Sequence, residues 1–473
     1  MRKWLPSADP LRQDIYTGAS NAIPTPTGSY RNAPGFLGEG SAVSSPGTMR
    51  NAFQGYIPAG TPIRVVGTTT KLYMLSGTTF TDRSKGGGYT NTATHWSFAL
   101  YGNYLIATNG VDAPQVRDAS GSSAFADLGG TPPTTAKYVV TQSNAVLFFN
   151  TNSGGQYWAA SDVGNHANYT SGEAASGPIN HRPGPITAAV AFGNEVLVFK
   201  SNSMFRMRYV GGVVKWTVEM ISDVYGAAGP GSVAVCGNLV CVMDASGAYL
   251  FDGASFHRID SGIKDYFKQN NANPVAAQYF ESQESVWFHV ASFAVLTYSI
   301  PTDAWGTLVP RENAGDITAS IRMMIGDGQP DEMTAIFIDP GLSTPLYMGY
   351  PFDEDGGAPN LDLALDGSLT TGWFGEFDKT TFISRVTPAF QPPQGSVGNK
   401  LAKPGTADIT LSVTYADQPE DSGTTDSAVS ASSRKRFDFT KSAPWMTFTL
   451  NFTNTPWDLV DILVTQKKTA GVN

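Results

Sequence analysis

The sequence predicts an all-β protein: an irregular β-propeller of six or seven blades, preceded by an extended N-terminal arm and followed by a smaller β-sandwich-like domain. Three observations lead there. Charged residues make up only 15% of the 473, while 50 Gly, 30 Pro and 11% aromatics point to many short strands and tight turns. A strand–turn–strand pattern recurs along the middle of the chain. The recurring turns are built from Gly and Asn, which adopt the positive φ of hairpin turns at least cost.

The recurrence is read from the turns. ALYGNYLIATNG centres on Asn103, VVTQSNAVLFFNTNSGG on Asn144, AFGNEVLVFKSNSMFRMRY on Asn194 and VAVCGNLVCVMDASG on Asn238; a weaker member, AQYFESQESVWFHVAS, places Gln283 in the same slot. The intervals are 41, 50, 44 and 45 residues, a period that suits a four-stranded blade. After each turn comes an apolar run that reads as a buried strand: Tyr104–Ile106, Val146–Phe149, Val196–Phe199, Leu239–Val242 and Val286–Phe288. A third strand follows, carrying Val116, Trp158, Phe205, Tyr249 or Leu296. In four units a fourth strand holds Phe125, Trp216, Phe256 or Trp305. Two poorer units, 64–83 and 332–350, bracket the set. The spacing is irregular, with a loop inserted around Gly164–Gly184, and a β-sandwich array or β-solenoid is the competing arrangement. A propeller is the physical answer to the blade's problem: one sheet cannot bury both faces alone, and stacking around an axis covers them.

Four segments follow. Residues 1–60 are an extended arm, too poor in apolar runs to form a core, yet carrying Trp4, Ile15, Tyr16, Tyr30 and Phe36 as anchors onto its own propeller or a neighbouring subunit. Residues 61–352 are the propeller. Residues 353–372 read as a linker, in which DEDGG (Asp353, Asp355) is a solvated acidic turn lacking the later Glu of a calcium loop. Residues 373–473 are the C-terminal β domain. In it MTFTLNF (446–452) sets Met446, Phe448, Leu450 and Phe452 on one face, DITLSVTY and LVDILVT are further strands, 417–433 is a polar loop, and SSRKRF (432–437) is a basic cluster on a solvated face.

The net charge of −9 disfavours a protein that grips nucleic acid through a basic face, though not one that nucleic acid slides past. Two cysteines, Cys236 and Cys241, flank one hairpin turn and read as small apolar core residues. No secretory h-region opens the chain and no run approaches a membrane span, so a soluble, cytosol-made protein is expected.

No catalytic, cofactor or metal set emerges, and a non-enzymatic protein is expected. His95, His166, His181, His257 and His289 show no zinc-type spacing. His166, His181 and Asp162 share one inserted stretch, the nearest approach to a metal triad. Asp223, Asp244, Asp252 and Asp260 stand where turns want Asp. PTDAWGTL (301–308) is a loose likeness of a sialidase-type turn, without the companion turns or arginines. Tyr157, Trp158 and Trp305 read first as core strand positions; exposed, they are the stacking platforms that a carbohydrate-binding or -cleaving propeller, a surface lectin or virion depolymerase, would use. A cellular scaffold propeller would carry regular W-D or kelch signatures, and the chain has none.

GAYLFDGASFHRIDSGIKDYF (247–267) pairs an outer F-D-G turn with an apolar strand and a short I-x-x-x-F helix. With SYRNAPGFLGEGS (29–41), the Gly-Asn turns and a C-terminal β domain, the order of parts resembles the tail nozzle family of short-tailed bacteriophages, also called tail stabilisation or tail tube protein B. The resemblance is strongest over 95–310. It implies a structural virion protein, assembled in the host cytoplasm and placed in the virion tail. Such a subunit forms a homo-hexameric ring beneath the adaptor on the portal, extends the channel, retains packaged double-stranded DNA without sequence-specific contact, and carries fibres, spikes or a needle during genome ejection. It implies no cofactor and no membrane.

Overall fold

The computed structural model describes residues 2–32, 35–38, 49–76, 79–244, 247–269, 274–290, 294–308, 311–312, 315–316, 336–337, 346–349, 366–375, 379–390, 409–419, 421, 423–430, 436–453 and 457–468. Five four-stranded antiparallel sheets, spanning 49–82, 97–127, 136–178, 188–222 and 233–258, follow one another as separate blades. A sixth meander, 274–308, forms the first four strands of a nine-stranded sheet. The first strands of all six meet around one central channel. The arrangement is a β-propeller.

The apolar runs explain the stacking. In the third blade Ala145, Leu147 and Phe149 pack with Val196, Val198 and Phe205 of the fourth. Val146 and Phe148, on the opposite face, pack with Ala99, Ile106 and Leu128 of the second. In the fourth blade Leu197 and Phe199 then turn to Val240, Val242 and Tyr249 of the fifth. Side chains alternate faces along a strand, so a strand buried on both faces must be apolar at every position. That is why the second strands read as runs. The expected turns form: Asn144 has φ 54° and Gly193 φ 55°. Nothing lies within 4 Å of a Cβ built on Gly193, so glycine there answers backbone conformation and not crowding.

The blade boundaries differ from expectation at both ends. The first blade begins with strand Met49–Tyr56, inside the segment expected as arm, because Met49 to Tyr56 pairs with Pro62–Thr68 and supplies the inner strand that 64–83 lacked. The unit expected at 332–350 is not a blade: its described strands, Ile336–Phe337 and Leu346–Gly349, join Gly35–Gly38, Arg311–Glu312 and Gly315–Asp316 in a five-stranded sheet. Of the expected linker, Gly367–Thr371 is a strand that pairs with Trp445–Phe452. The DEDGG turn, the side chain of Phe36 and residues 432–435 of the basic cluster lie outside the described residues.

The arm joins the two halves of the molecule. Beyond Ala304–Leu308 the nine-stranded sheet continues through Ala22–Pro24, Tyr30–Asn32, Asp458–Lys468, Thr381–Phe390 and Phe437–Ala443. An N-terminal hairpin thus lies between the sixth blade and the C-terminal strands. At the junction Thr307 pairs with Ala22, and a Cβ on Gly306 would strike the Ala22 carbonyl. The absence of a side chain lets the two backbones approach. A second sheet runs Lys3–Trp4, Ile15–Ser20, Gly367–Thr371, Trp445–Phe452, Ile409–Ala416 and on to Thr424–Thr425. The two sheets share one core with the fifth and sixth blades, including Trp4, Tyr16, Tyr30, Trp305, Leu369, Ile383, Phe448 and Leu459. Met446, Phe448, Leu450 and Phe452 all point into it, each at most 1% exposed. The short helix Lys264–Gln269 buries Phe267 beside Ile263, as the I-x-x-x-F spacing predicts.

Candidate functional surface

In an antiparallel meander the turn from first to second strand and the turn from third to fourth emerge at the same end. That end of the propeller therefore carries the Gly-Asn turns together with the third-to-fourth connections. These connections are longest in the third blade (161–174) and most protruding in the fourth (212–214). It is the elaborated face of the molecule.

The third-blade insertion is held by its own amides. Asp162 accepts hydrogen bonds from the Glu173 N–H at 2.8 Å and from Asn168 Nδ2 at 3.3 Å. Asn168 Oδ1 accepts from the N–H groups of Thr170 and Ser171, each at 3.2 Å. Glycine is needed at Gly172, where φ is +64° and a Cβ would collide with the Asp162 carboxylate. The loop presents His166 against Tyr104 and Tyr101, with ring centroids 4.5 and 5.5 Å apart. Burial lowers the His166 pKa. Tyr104 keeps 41% of its surface exposed.

The fourth blade contributes a ribbon. Its second strand last pairs with the third at Val196 and Met207, yet the third and fourth strands continue pairing through Arg208 and Thr217, Tyr209 and Trp216, and Gly211 and Lys215. Residues 208–217 thus project beyond the blade. Three contacts brace them: Lys215 Nζ donates to the carbonyls of Gly172 and Ala174 at 2.7 Å, Tyr209 Oη meets Glu173 Oε2 at 3.3 Å, and Tyr209 packs on the buried Trp216. At the ribbon's base Glu195 accepts from Arg206 and Arg208 at 2.9 Å, and Arg206 also donates to the Gly253 carbonyl of the fifth blade at 2.5 Å.

The residues singled out from the sequence do not converge. His166 and His181 stand apart, the latter beside Phe205, and Asp162 is occupied by the loop. Among the described residues no group of three or more His, Cys, Asp or Glu could hold a metal ion. Asp223 pairs with Arg182, and Asp244 and Asp260 share Arg258. Asp252 accepts from the N–H groups of Ala254 and Ser255, which lower its pKa. His257 lies near Asp252 on the surface and His289 is buried in the sixth blade. Trp158 and Trp305 are 6% and 2% exposed, so they are core residues, not platforms; the stacking of blades covers both faces of each strand. Cys236 and Cys241 are free and buried, and burial raises the Cys236 thiol to about 12.

The central channel has a volume of about 490 Å³. Among the described residues its lining includes Ala99, Val139, Ala189, Ala191, Val235 and Gln278 and no Asp, Glu, Lys or Arg. His95 lines it as well. Burial, with Lys137 as a second cause, pushes its pKa down to about 4. Between the ordinary value of 6.5 and about 4 the unfolded chain takes up a proton that the folded chain refuses, so this group costs stability as the pH falls through that window. The cost is on the order of 3 kcal/mol by pH 4. His95→Gln is expected to lose less stability than wild type between pH 7 and pH 4.5 in urea titrations. Parallel losses in the two proteins would show that His95 does not set the acid limb.

What the sequence did not reveal is the ribbon. VGGVVKW reads as a turn between strands, and only the early end of the neighbouring strand shows that it stands free. Lys200 is buried, and its Nζ donates to the Ile179 carbonyl at 2.6 Å and to that of Arg182, fixing the segment before the fourth blade.

Neither a protein-family model nor a curated protein matches the chain. Among solved structures the chain is similar to the extracellular domain assigned to the hybrid two component system BT4673 of B. thetaiotaomicron, at 10% identity and a TM-score of 0.49, over 66% of this chain and 39% of that one. It is similar also to RRP9 WD40 repeats, at 7% identity and a TM-score of 0.47, over 67% of this chain and 99% of that one.

Proposed function

We propose that this chain is a structural, non-enzymatic virion protein: a subunit of a hexameric tail nozzle ring that extends the portal–adaptor channel, retains packaged DNA and offers attachment to distal tail parts. The observation that carries this reading is the nine-stranded sheet. Propeller blade, N-terminal hairpin and C-terminal strands, drawn from three distant parts of the chain, are hydrogen-bonded into one body. That is the construction of a part that transmits load. Asp223, Asp244 and Asp260 are tied to arginines and Asp252 to a turn, which suits a mechanical role. The propeller channel is far too small for a duplex whose major groove alone is about 12 Å wide. In this reading DNA therefore passes through a lumen between copies, where a net charge of −9 per chain keeps phosphates from sticking.

The test is to mix purified chain with adaptor–portal complex and image it by negative stain. Six-fold rings below the adaptor are expected; a monomer that never binds the adaptor contradicts the reading. One observation favours a carbohydrate-binding second reading: the exposed Tyr104 ring beside His166 on the elaborated face. Release of reducing ends from host polysaccharide would favour a cleaving version of it.

A further inference from the structure

The innermost strand of each blade has a paired neighbour on one side only, so half of its backbone groups face away from the blade. Val139 shows the direction: its N–H leaves the third blade and donates to Ser97 Oγ of the second at 3.0 Å. Alternation along the strand puts the N–H and C=O of Thr141 on the same open edge. Small side chains keep the space between these edges open. Ala99, Ala189, Ala191 and Ala277, from the second, fourth and sixth blades, all line it. The volume of about 490 Å³ falls within the roughly 300–1,000 Å³ of small-molecule sites.

Polar side chains reach the channel from three blades. Among the described residues the His95 ring nitrogens and the Thr141 hydroxyl have no hydrogen-bond partner. Gln278 donates its side-chain N–H to the Tyr279 carbonyl at 2.9 Å, which leaves its Oε1 for the channel. His95 stands before its strand begins, and Thr141 and Gln278 stand late in theirs. These groups are therefore spread along the channel, not gathered at one point. A neutral imidazole offers one donor and one acceptor, a hydroxyl offers both, and Oε1 accepts. A charged guest would give up its water to a lining that holds no counter-charge. Lys137, which acts on His95, is exposed and outside that lining. Hydroxyl groups answer donors and acceptors alike, and the C–H faces of a polyol suit walls of alanine and valine. We propose that the central channel binds a neutral polyhydroxylated small molecule of mono- or disaccharide size. The site is separate from the exposed Tyr104 surface, and it depends on neither reading of the chain's function.

The experiment titrates the full-length protein at neutral pH with glucose and with maltose, and with glucuronate as the charged counterpart, by calorimetry and saturation-transfer NMR. Saturable binding of glucose or maltose at one site is expected, with glucuronate at least tenfold weaker. Ala191→Trp narrows the channel, and His95→Phe keeps a ring while removing both nitrogens. Each is expected to weaken binding at least tenfold. Ala191 is exposed, so thermal unfolding of Ala191→Trp is expected to match wild type. Tyr104→Ala, on the outer face, is expected to bind as wild type does. Absence of saturable binding by both neutral sugars would overturn the proposal, as would binding that Ala191→Trp leaves unchanged. Unchanged binding by His95→Phe alone would remove His95 from the site. Loss confined to Tyr104→Ala would place the sugar on the outer face instead. Glucuronate bound as tightly as glucose would overturn the neutral ligand class.

Discussion

Replacing Tyr30 with alanine is expected to lower stability by about 4 kcal/mol. The ring is fully buried and stands edge-on to Tyr16, with centroids 5.7 Å apart. Its hydroxyl accepts from the Trp4 N–H at 2.9 Å and donates to the Trp305 carbonyl at 2.8 Å. One side chain thus ties the first strand, the N-terminal hairpin and the sixth blade. Alanine removes the packing and leaves both backbone groups without their partner. Tyr30→Phe keeps the ring and orphans only those groups, so about 1–2 kcal/mol is expected. Urea unfolding followed by fluorescence gives both values. A Tyr30→Ala protein within 1 kcal/mol of wild type would mean that the hairpin is not part of the cooperative unit.

Phe148→Ala and Phe149→Ala are each expected to cost about 4 kcal/mol, through opposite faces of one strand. Both side chains are fully buried; Phe148 faces the second blade and Phe149 the fourth. Neither interface can collapse onto the lost ring without moving a whole sheet, which places the cost toward the upper end for such changes. A small cost for either would show that its blade face is not closely packed.

The same strand shows why the propeller was legible. Val146 to Phe149 is apolar at consecutive positions because both faces are covered, and the Asn144 turn before it needs a residue that accepts positive φ. Local patterns of this kind repeat from 97 to 308 and mark each blade. The junction is different. Ala22–Pro24 and Tyr30–Asn32 are three residues long, include Pro24, and pair with strands hundreds of residues away. No local periodicity survives in so short a strand. The arm's apolar residues announced burial, but their partners were set by tertiary contacts alone. Trp158 and Trp305 are core residues, as their strand positions indicated, because neighbouring blades cover them. The ribbon was hidden because VGGVVKW reads as a turn between strands, and its exposure depends on where the adjacent strand stops.

Hydrogen exchange of the full chain tests the central claim most directly. If propeller, hairpin and C-terminal domain are one body, amides of 22–23, 30–32 and 459–464 exchange only through the same global opening as those of 304–308. Denaturant should then shift all four sets together. Exchange of the hairpin amides within seconds, while the blades stay protected, would contradict it.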